Sequence, residues 1–349
     1  MRLPQIQAPG AILPEKGDNF LMRISIPLAL IALASVGCRP GITQDSTSLT
    51  PLSTPGPTFT VDPAQIPKQW TAIGYGDTRF TDPANEKDTN PKVRRWLVNQ
   101  IAAEHPDALL VSGDLPLDGG VENDYAVFKT ESEAWRAAKL RVYPALGNHE
   151  LHNGEAVGLK NWWAAFPQLD KRRWYSVSFG NAYFLMIDSD APLTAGSPQQ
   201  QWIADQLKTL PATVQFVFIT MHHPIVGDDA PGFDHNVRPN EAAFGEFLSA
   251  AAKTLKARIT VVCGHIHNYE RFEKDGITYL VAGGGAAKPK PVTRNAQDKF
   301  TGTDAVNYHY ITFHFDGKII HAEMHRVANP DAATPSWEVK DRFDISPVN

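Results

Sequence analysis

Cysteine is nearly absent: Cys38 and Cys263, 225 positions apart, are the only two in a chain of 349 residues. That excludes a disulfide framework and a structural zinc site built on thiolates. A surplus of one charge is missing too. The 33 Lys and Arg stand against 38 Asp and Glu, a net charge of -5. A basic face that neutralises phosphates is therefore lacking, and no nucleic-acid partner is expected. No apolar run reaches the roughly 20 residues of a membrane span, and there is no internal repeat. What is present is hydrophobic mass, 42% of the residues, enough to bury a core and to exclude wholesale disorder. Histidine is unevenly placed: seven of the 12 lie between His149 and His267, beside Gly, Asn or Asp. That pattern points to metal.

Near the amino terminus, Met22-Arg23 precedes 14 uncharged residues, 24–37, and then Cys38. A basic start and an apolar run of this length read as a secretory leader, with Met22 as a candidate start. Ser35-Val36-Gly37-Cys38 resembles a bacterial lipobox, in which the Cys is lipidated, although Ser35 stands where that motif usually has a bulky aliphatic residue. Residues 39–67 are rich in Ser, Thr, Pro and Gly and read as a tether. The expected layout is a leader over 1–37, a flexible linker over 38–67 and one catalytic domain over 68–349. The protein is expected to be exported, either anchored in the cell envelope or secreted, with membrane contact only through a lipid on Cys38.

From Trp70 onward, short apolar runs predict buried strands at 70–75, 108–112, 142–146, 183–187, 214–221, 259–263 and 278–282. Helical patterns lie between them, at 93–101 behind Pro91, at 202–210 and at 242–255. This alternation predicts an α/β fold. Two stretches, 175–188 and 308–325, read instead as hairpins turning at Gly180-Asn181 and Asp316-Gly317, which adds a second, mixed sheet.

The strand ends carry the chemistry. In order, they deliver Gly76-Asp77-Thr78-Arg79, Gly113-Asp114, Gly147-Asn148-His149-Glu150, His222-His223-Pro224 and Gly264-His265-Ile266-His267. Ligands in open α/β sheets sit beyond the carboxyl ends of strands. A lone Gly-Asp after a strand is usually a turn or a cap, but Asp, Asp, Asn and three His at five such ends form a hard-to-borderline ligand set suited to Mn, Fe or Zn.

With these motifs in this order, the sequence resembles the calcineurin-like metallophosphoesterases, in particular their purple-acid-phosphatase-like branch. The tail Tyr269-Glu270-Arg271 after Gly-His-x-His is typical of that branch, and the resemblance spans about residues 70–325. It implies a four-layer α/β sandwich of two mixed β-sheets flanked by helices, with two metal ions (Fe, Mn or Zn) at one edge. Carried over residue by residue, Asp77 and His267 bind the first ion and Asp114 bridges both. Asn148, His222 and His265 bind the second. His149 faces the substrate and protonates the leaving oxygen, and His235 is a further substrate-facing His. The implied activity is hydrolysis of a small-molecule phosphoester, most simply a phosphomonoester. A phosphodiesterase acting on cyclic nucleotides or glycerophosphodiesters, or a ligand-binding domain without turnover, remains open.

Two positions depart from the family. Arg79 stands where the broader family has His, and Leu117 stands where purple acid phosphatases have Tyr, so the first site lacks both extra ligands. Arg79 either binds substrate phosphate or, more simply, faces solvent or pairs with a structural carboxylate. Glu150 or another carboxylate is expected to orient the His149 ring. Gly283-Gly284-Gly285 lacks Walker spacing and is expected to let backbone pass close to the metal site. Trp162, Trp163, Cys263 and the late histidines His309, His314, His321 and His325 are expected to have packing or surface roles.

Overall fold

The computed structural model describes residues 56–230 and 236–348. Along the chain run β1 (Phe59–Thr60), β2 (Trp70–Tyr75), α1 (Pro91–Ala103), β3 (Ala108–Val111), α2 (Glu122–Glu131), α3 (Glu133–Ala137) and β4 (Val142–Pro144). Next come α4 (Glu155–Ala165), β5 (Tyr175–Phe179), β6 (Ala182–Met186), α5 (Pro198–Lys208), β7 (Phe216–Thr220), α6 (Pro239–Ala252) and β8 (Arg258–Cys263). The chain closes with β9 (Tyr269–Lys274), β10 (Ile277–Ala282), β11 (His309–Phe315), β12 (Ile320–Val327) and β13 (Trp337–Ile345).

One sheet has the order β1-β5-β6-β7-β8-β10-β9 and the other β13-β12-β11-β2-β3-β4. Each has a parallel centre, β6-β7-β8-β10 and β2-β3-β4, extended by antiparallel strands. Strands buried on both faces are apolar throughout, which is why β2, β3, β7, β8 and β10 are legible as short hydrophobic runs. The two sheets face each other through aromatic rings. Trp70 of β2 meets Phe179 of β5 with ring centroids 4.8 Å apart, and Phe218 of β7 meets Phe313 of β11 edge-on at 5.0 Å. A second core covers the other face of the seven-stranded sheet, where Ile203 and Leu207 of α5 and Phe244 and Leu248 of α6 are buried. The helices flanking the six-stranded sheet complete four layers.

Helix starts follow local chemistry. Asn90 caps α1, its side-chain oxygen accepting from the Val93 N–H at 3.1 Å with Pro91 in the first turn, and Ser197-Pro198 repeats the device at α5.

Three expectations are corrected or left aside. The linker was placed over 38–67, but the folded body begins before its end: β1 pairs in parallel with β5, and the Phe59 ring packs edge-on against Tyr175 at 5.7 Å. Two apolar residues within a Thr/Pro-rich stretch suffice for an edge strand, and composition hides them. Strands β9 and β13 were not anticipated, because five of the nine residues of β13 are charged, as suits a sheet edge. The leader, Cys38 and His235 lie outside the described residues. Among the described residues no helix is long and apolar enough to cross a membrane.

Candidate metal centre

The candidate residues meet where β2, β3, β4, β7 and β8 end on the same edge of the two sheets. Several backbone positions there are left-handed although they are not glycine: Asp77 (φ 58°), Arg79 (φ 47°), Asp114 (φ 54°) and His265 (φ 70°). Such conformations cost roughly 1–3 kcal/mol each and persist where neighbours over-determine them. Here the neighbours are backbone bonds between the loops. Asp77 N donates to Gly113 O (3.0 Å), Arg79 N to Asp114 O (2.9 Å) and Gly264 N to His222 O (2.9 Å). Glycine lets the loops touch. A Cβ on Gly264 would collide with the Asp77 carboxylate, and one on Gly283 with the Ile266 carbonyl. The close backbone approach expected of Gly283-Gly284-Gly285 is therefore observed.

Asp77, Asp114 and His222 are fully buried, and their ligand atoms lie within 4.8 Å of one another. His222 donates Nδ1–H to the Ser112 carbonyl (2.9 Å), which turns Nε2 into the site, where it offers a lone pair once the imidazole is neutral. That Nε2 faces Asn148 Oδ1 at 3.0 Å, His265 Nδ1 at 3.2 Å and Asp114 Oδ1 at 3.3 Å. The Asn148 amide is oriented by its Nδ2, which lies 3.3 Å from His152 Nε2. His267 donates Nδ1–H to the Lys288 carbonyl (2.7 Å) and presents Nε2 to Asp77 Oδ1 at 3.5 Å. The backbone N–H of His265 reaches both Asp77 oxygens, at 3.1 and 3.0 Å.

Acceptors facing acceptors across 3.0–3.3 Å need positive charge between them. The carboxylate, amide-oxygen and imidazole donor set, with no thiolate, fits divalent metal ions. The electrostatics carry the same demand. Burial pushes the Asp77 carboxyl up to about 7, with Asp114 adding to the rise. Burial opposes protonation of His222, yet the Asp114 and Asp77 carboxylates pull its imidazole up. Asp114 is also desolvated, but His149, His222 and Arg79 together hold it well below the usual carboxylate range.

The structure brings together Asp77, Asp114, Asn148, His222, His265 and His267, with His149 at their side. His149 Nε2 lies 3.7 Å from Asp114 Oδ2, and its backbone N–H donates to Asp114 Oδ1 at 3.1 Å. Glu150 does not orient that ring. It is fully buried and accepts three backbone N–H bonds, from Gly147 (2.7 Å), Asp114 (3.0 Å) and Leu115 (2.8 Å), tying the β3 and β4 loops together. The partner of His149 Nδ1 is instead the main-chain carbonyl of Leu117.

Arg79 pairs with a carboxylate, one of the outcomes expected of it, but does so inside the site, on Asp114. The Arg79 side chain is 15% exposed and turned inward, with Nη2 2.7 Å from His149 Nε2 and 3.4 Å from Asp114 Oδ2. A guanidinium can only donate, so His149 Nε2 is the acceptor and its ring proton sits on Nδ1. Burial keeps that imidazole neutral, lowering it to about 4. Sequence reasoning missed the contact because it spans 70 residues.

His223, to which the ligand assignment gives no role, is also part of the site. It is buried, its ring packs 4.2 Å from that of His265, and its Nδ1 meets Ser189 Oγ at 2.8 Å. The Tyr-Glu-Arg tail is architectural. Tyr269 OH and Arg271 Nε both donate to Asp341 of β13, at 2.9 and 2.7 Å, and Glu270 Oε2 accepts from Asp228 N at 2.7 Å. Trp162 packs on Phe166 (4.7 Å), and Trp163 donates to the Arg172 carbonyl (3.1 Å). Cys263 is buried, and burial raises its thiol far above the usual range. These last three have the packing roles expected of them.

Comparison with known proteins agrees with this geometry. A family model described as calcineurin-like phosphoesterase matches residues 80–269. A probable cyclic nucleotide phosphodiesterase of Ruthia magnifica is 23% identical over 186 residues, covering 53% of this chain and 72% of that protein. Probable purple acid phosphatase 20 of Arabidopsis thaliana is 30% identical over 164 residues, 40% of this chain and 36% of that protein. Purple acid phosphatase PPD1 from yellow lupin shares the fold, with a TM-score of 0.65 at 17% identity, over 80% of this chain and 54% of its own. The chain thus spans about a third to a half of the purple acid phosphatases it matches. With more than half of its length inside the matched family region, and with that family's metal-ligand types gathered at one sheet edge, the chain belongs to the calcineurin-like phosphoesterases.

Proposed function

We propose that this chain is a phosphomonoesterase working through two metal ions, iron, manganese or zinc. Asp77, His267 and the shared Asp114 hold the first ion; Asp114, Asn148, His222 and His265 hold the second. The observation that carries the reading is the convergence of acceptors around His222 Nε2, with Asn148 Oδ1 at 3.0 Å and Asp114 Oδ1 at 3.3 Å. Ions held there supply Lewis-acid polarisation of the phosphoryl group and activation of the attacking water. The chain's own residues do the rest. Carbonyls of Ser112 and Lys288 fix the tautomers of His222 and His267, so each aims a lone pair inward. His149 Nε2, beside the site, handles the proton of the leaving oxygen, a role worth about 10²–10⁴-fold in rate. The relatives are named both as phosphatases and as phosphodiesterases, so the ester class is tested directly.

Export and anchoring through Cys38 complete the proposal, supported by the uncharged run 24–37 that ends at Gly37-Cys38.

The test pairs a chromogenic monoester with the matching diester on protein whose metal content has been measured. His149→Ala serves as a second arm. Faster turnover of the monoester, and a His149→Ala variant that keeps its metal but loses at least about a hundredfold in turnover, are expected. Diester preference overturns the monoesterase reading. Equal loss of metal and activity in the variant makes His149 a ligand or a folding residue instead.

A further inference from the structure

We propose that Arg79 is the phosphate clamp of this site: on substrate binding its guanidinium leaves His149 Nε2 for the phosphoryl oxygens, and it selects esters with a dianionic terminal phosphate. The inference rests on the hydrolase reading above in taking a phosphate as the ligand.

Three observations carry it. First, the guanidinium is placed, not loose. The Arg79 backbone is pinned by Asp114 O on its N–H (2.9 Å) and by Arg94 Nη1 on its carbonyl (2.9 Å), and the αL conformation at 79 turns the side chain over Asp114. Second, it is under-used. A guanidinium carries five N–H donors in a planar fork that matches phosphate. Here Nη2 meets a neutral imidazole nitrogen and one carboxylate oxygen, while the buried Nε–H has no hydrogen-bond partner. Third, the present partner covers a working atom. Nη2 sits on the His149 Nε2 lone pair, and moving the guanidinium onto phosphate uncovers that nitrogen, which must take up a proton before it can protonate the leaving oxygen.

Selectivity follows from charge and shape. A terminal phosphate offers two unesterified oxygens to the fork and a third to the metal side, with nearly two negative charges. A diester has only two free oxygens and one charge.

The experiment measures inorganic phosphate binding by calorimetry on manganese-loaded wild type, Arg79→Gln and Arg79→Lys, each with its metal content checked. Loss of charge-assisted hydrogen bonds predicts a Kd about 10- to 100-fold higher for Arg79→Gln. Arg79→Lys recovers part of the affinity, because a point charge lacks the fork. In turnover assays KM for a chromogenic monoester rises in parallel, while KM for the diester changes much less. An unchanged phosphate Kd in Arg79→Gln with metal intact overturns the clamp. So does loss of metal from both variants, which makes Arg79 a prop for Asp114. Equal KM increases for both esters overturn the selectivity. Because phosphate binding is read apart from turnover, a chain that binds phosphate through Arg79 yet hydrolyses neither ester keeps the clamp and sinks the hydrolase reading.

Discussion

Replacing Glu150 with Gln tests whether one buried carboxylate organises the site. The side chain is fully buried, and all three of its contacts are backbone N–H donors, with Oε2 taking two and Oε1 one. Burial beside Asp114 raises its pKa, while an environment of backbone donors alone favours the ionised form. A glutamine has one oxygen to offer. Its better orientation keeps Gly147 and Asp114 on that oxygen, now neutral, and sets an NH₂ against the Leu115 N–H. One charge-assisted bond is lost, worth about 1.5–3 kcal/mol, and a buried donor is orphaned at a further cost of about 1–3 kcal/mol. Together these destabilise the fold by about 4 kcal/mol, a large share of a typical 5–15 kcal/mol. The β3 and β4 loops would also move apart, so Asp114 and Asn148 lose their common frame and metal affinity falls. Urea unfolding of metal-free protein reads the first effect, and competitive chelator titration reads the second. A variant within about 1 kcal/mol of wild type that binds metal equally well refutes the reasoning and makes Glu150 a neutral acid with no organising role.

Three further predictions follow from other parts of the molecule. Under chelation, metal is expected to leave in two steps, because the proposed second site has four protein ligands and the first three; Arg79→His should tighten the weaker step, and a single-step loss of both ions contradicts the asymmetry. His309 is buried, donates Nδ1–H to the Asn307 carbonyl at 2.7 Å, and is lowered to about 4 by burial, with Arg294 and Arg326 adding to the shift. Its folded pKa lies below the unfolded value, so the unfolded chain binds more protons between the two. Stability is therefore present above about pH 6.5 and falls towards pH 4, by about 3 kcal/mol from this group. His309→Asn keeps a donor there and should flatten that part of the profile; denaturant titrations at several pH values with an unchanged slope would exclude it. Finally, Cys38→Ser should shift the protein from the membrane fraction to the soluble fraction on cell fractionation, and retention in the membrane would rule out a lipid on Cys38.

The sequence by itself determined what depends on local order. Strands β2, β3, β7, β8 and β10 are apolar because both of their faces are covered, and that requirement is written into consecutive residues. Pro91 and Pro198 mark helix starts for reasons internal to one turn. The ligand motifs were legible because each follows its own strand, and parallel strands deliver their carboxyl ends to one edge. Tertiary structure alone decided what depends on contacts between distant loops. Edge strands β9 and β13 are rich in charged residues and take their conformation from a neighbour's ladder. The roles of Glu150, Leu117 and Arg79 were misread or missed, since each acts through a partner 32 to 70 residues away. A Glu beside a His suggests pairing by adjacency. Here the residues around 149–151 form a 3-10 turn, so the two side chains diverge, one into the backbone donors of the β3 loop and one towards the metal edge. The inward course of Arg79 has the same origin: a left-handed residue held by bonds to Asp114 and Arg94 sends its side chain where no spacing rule points.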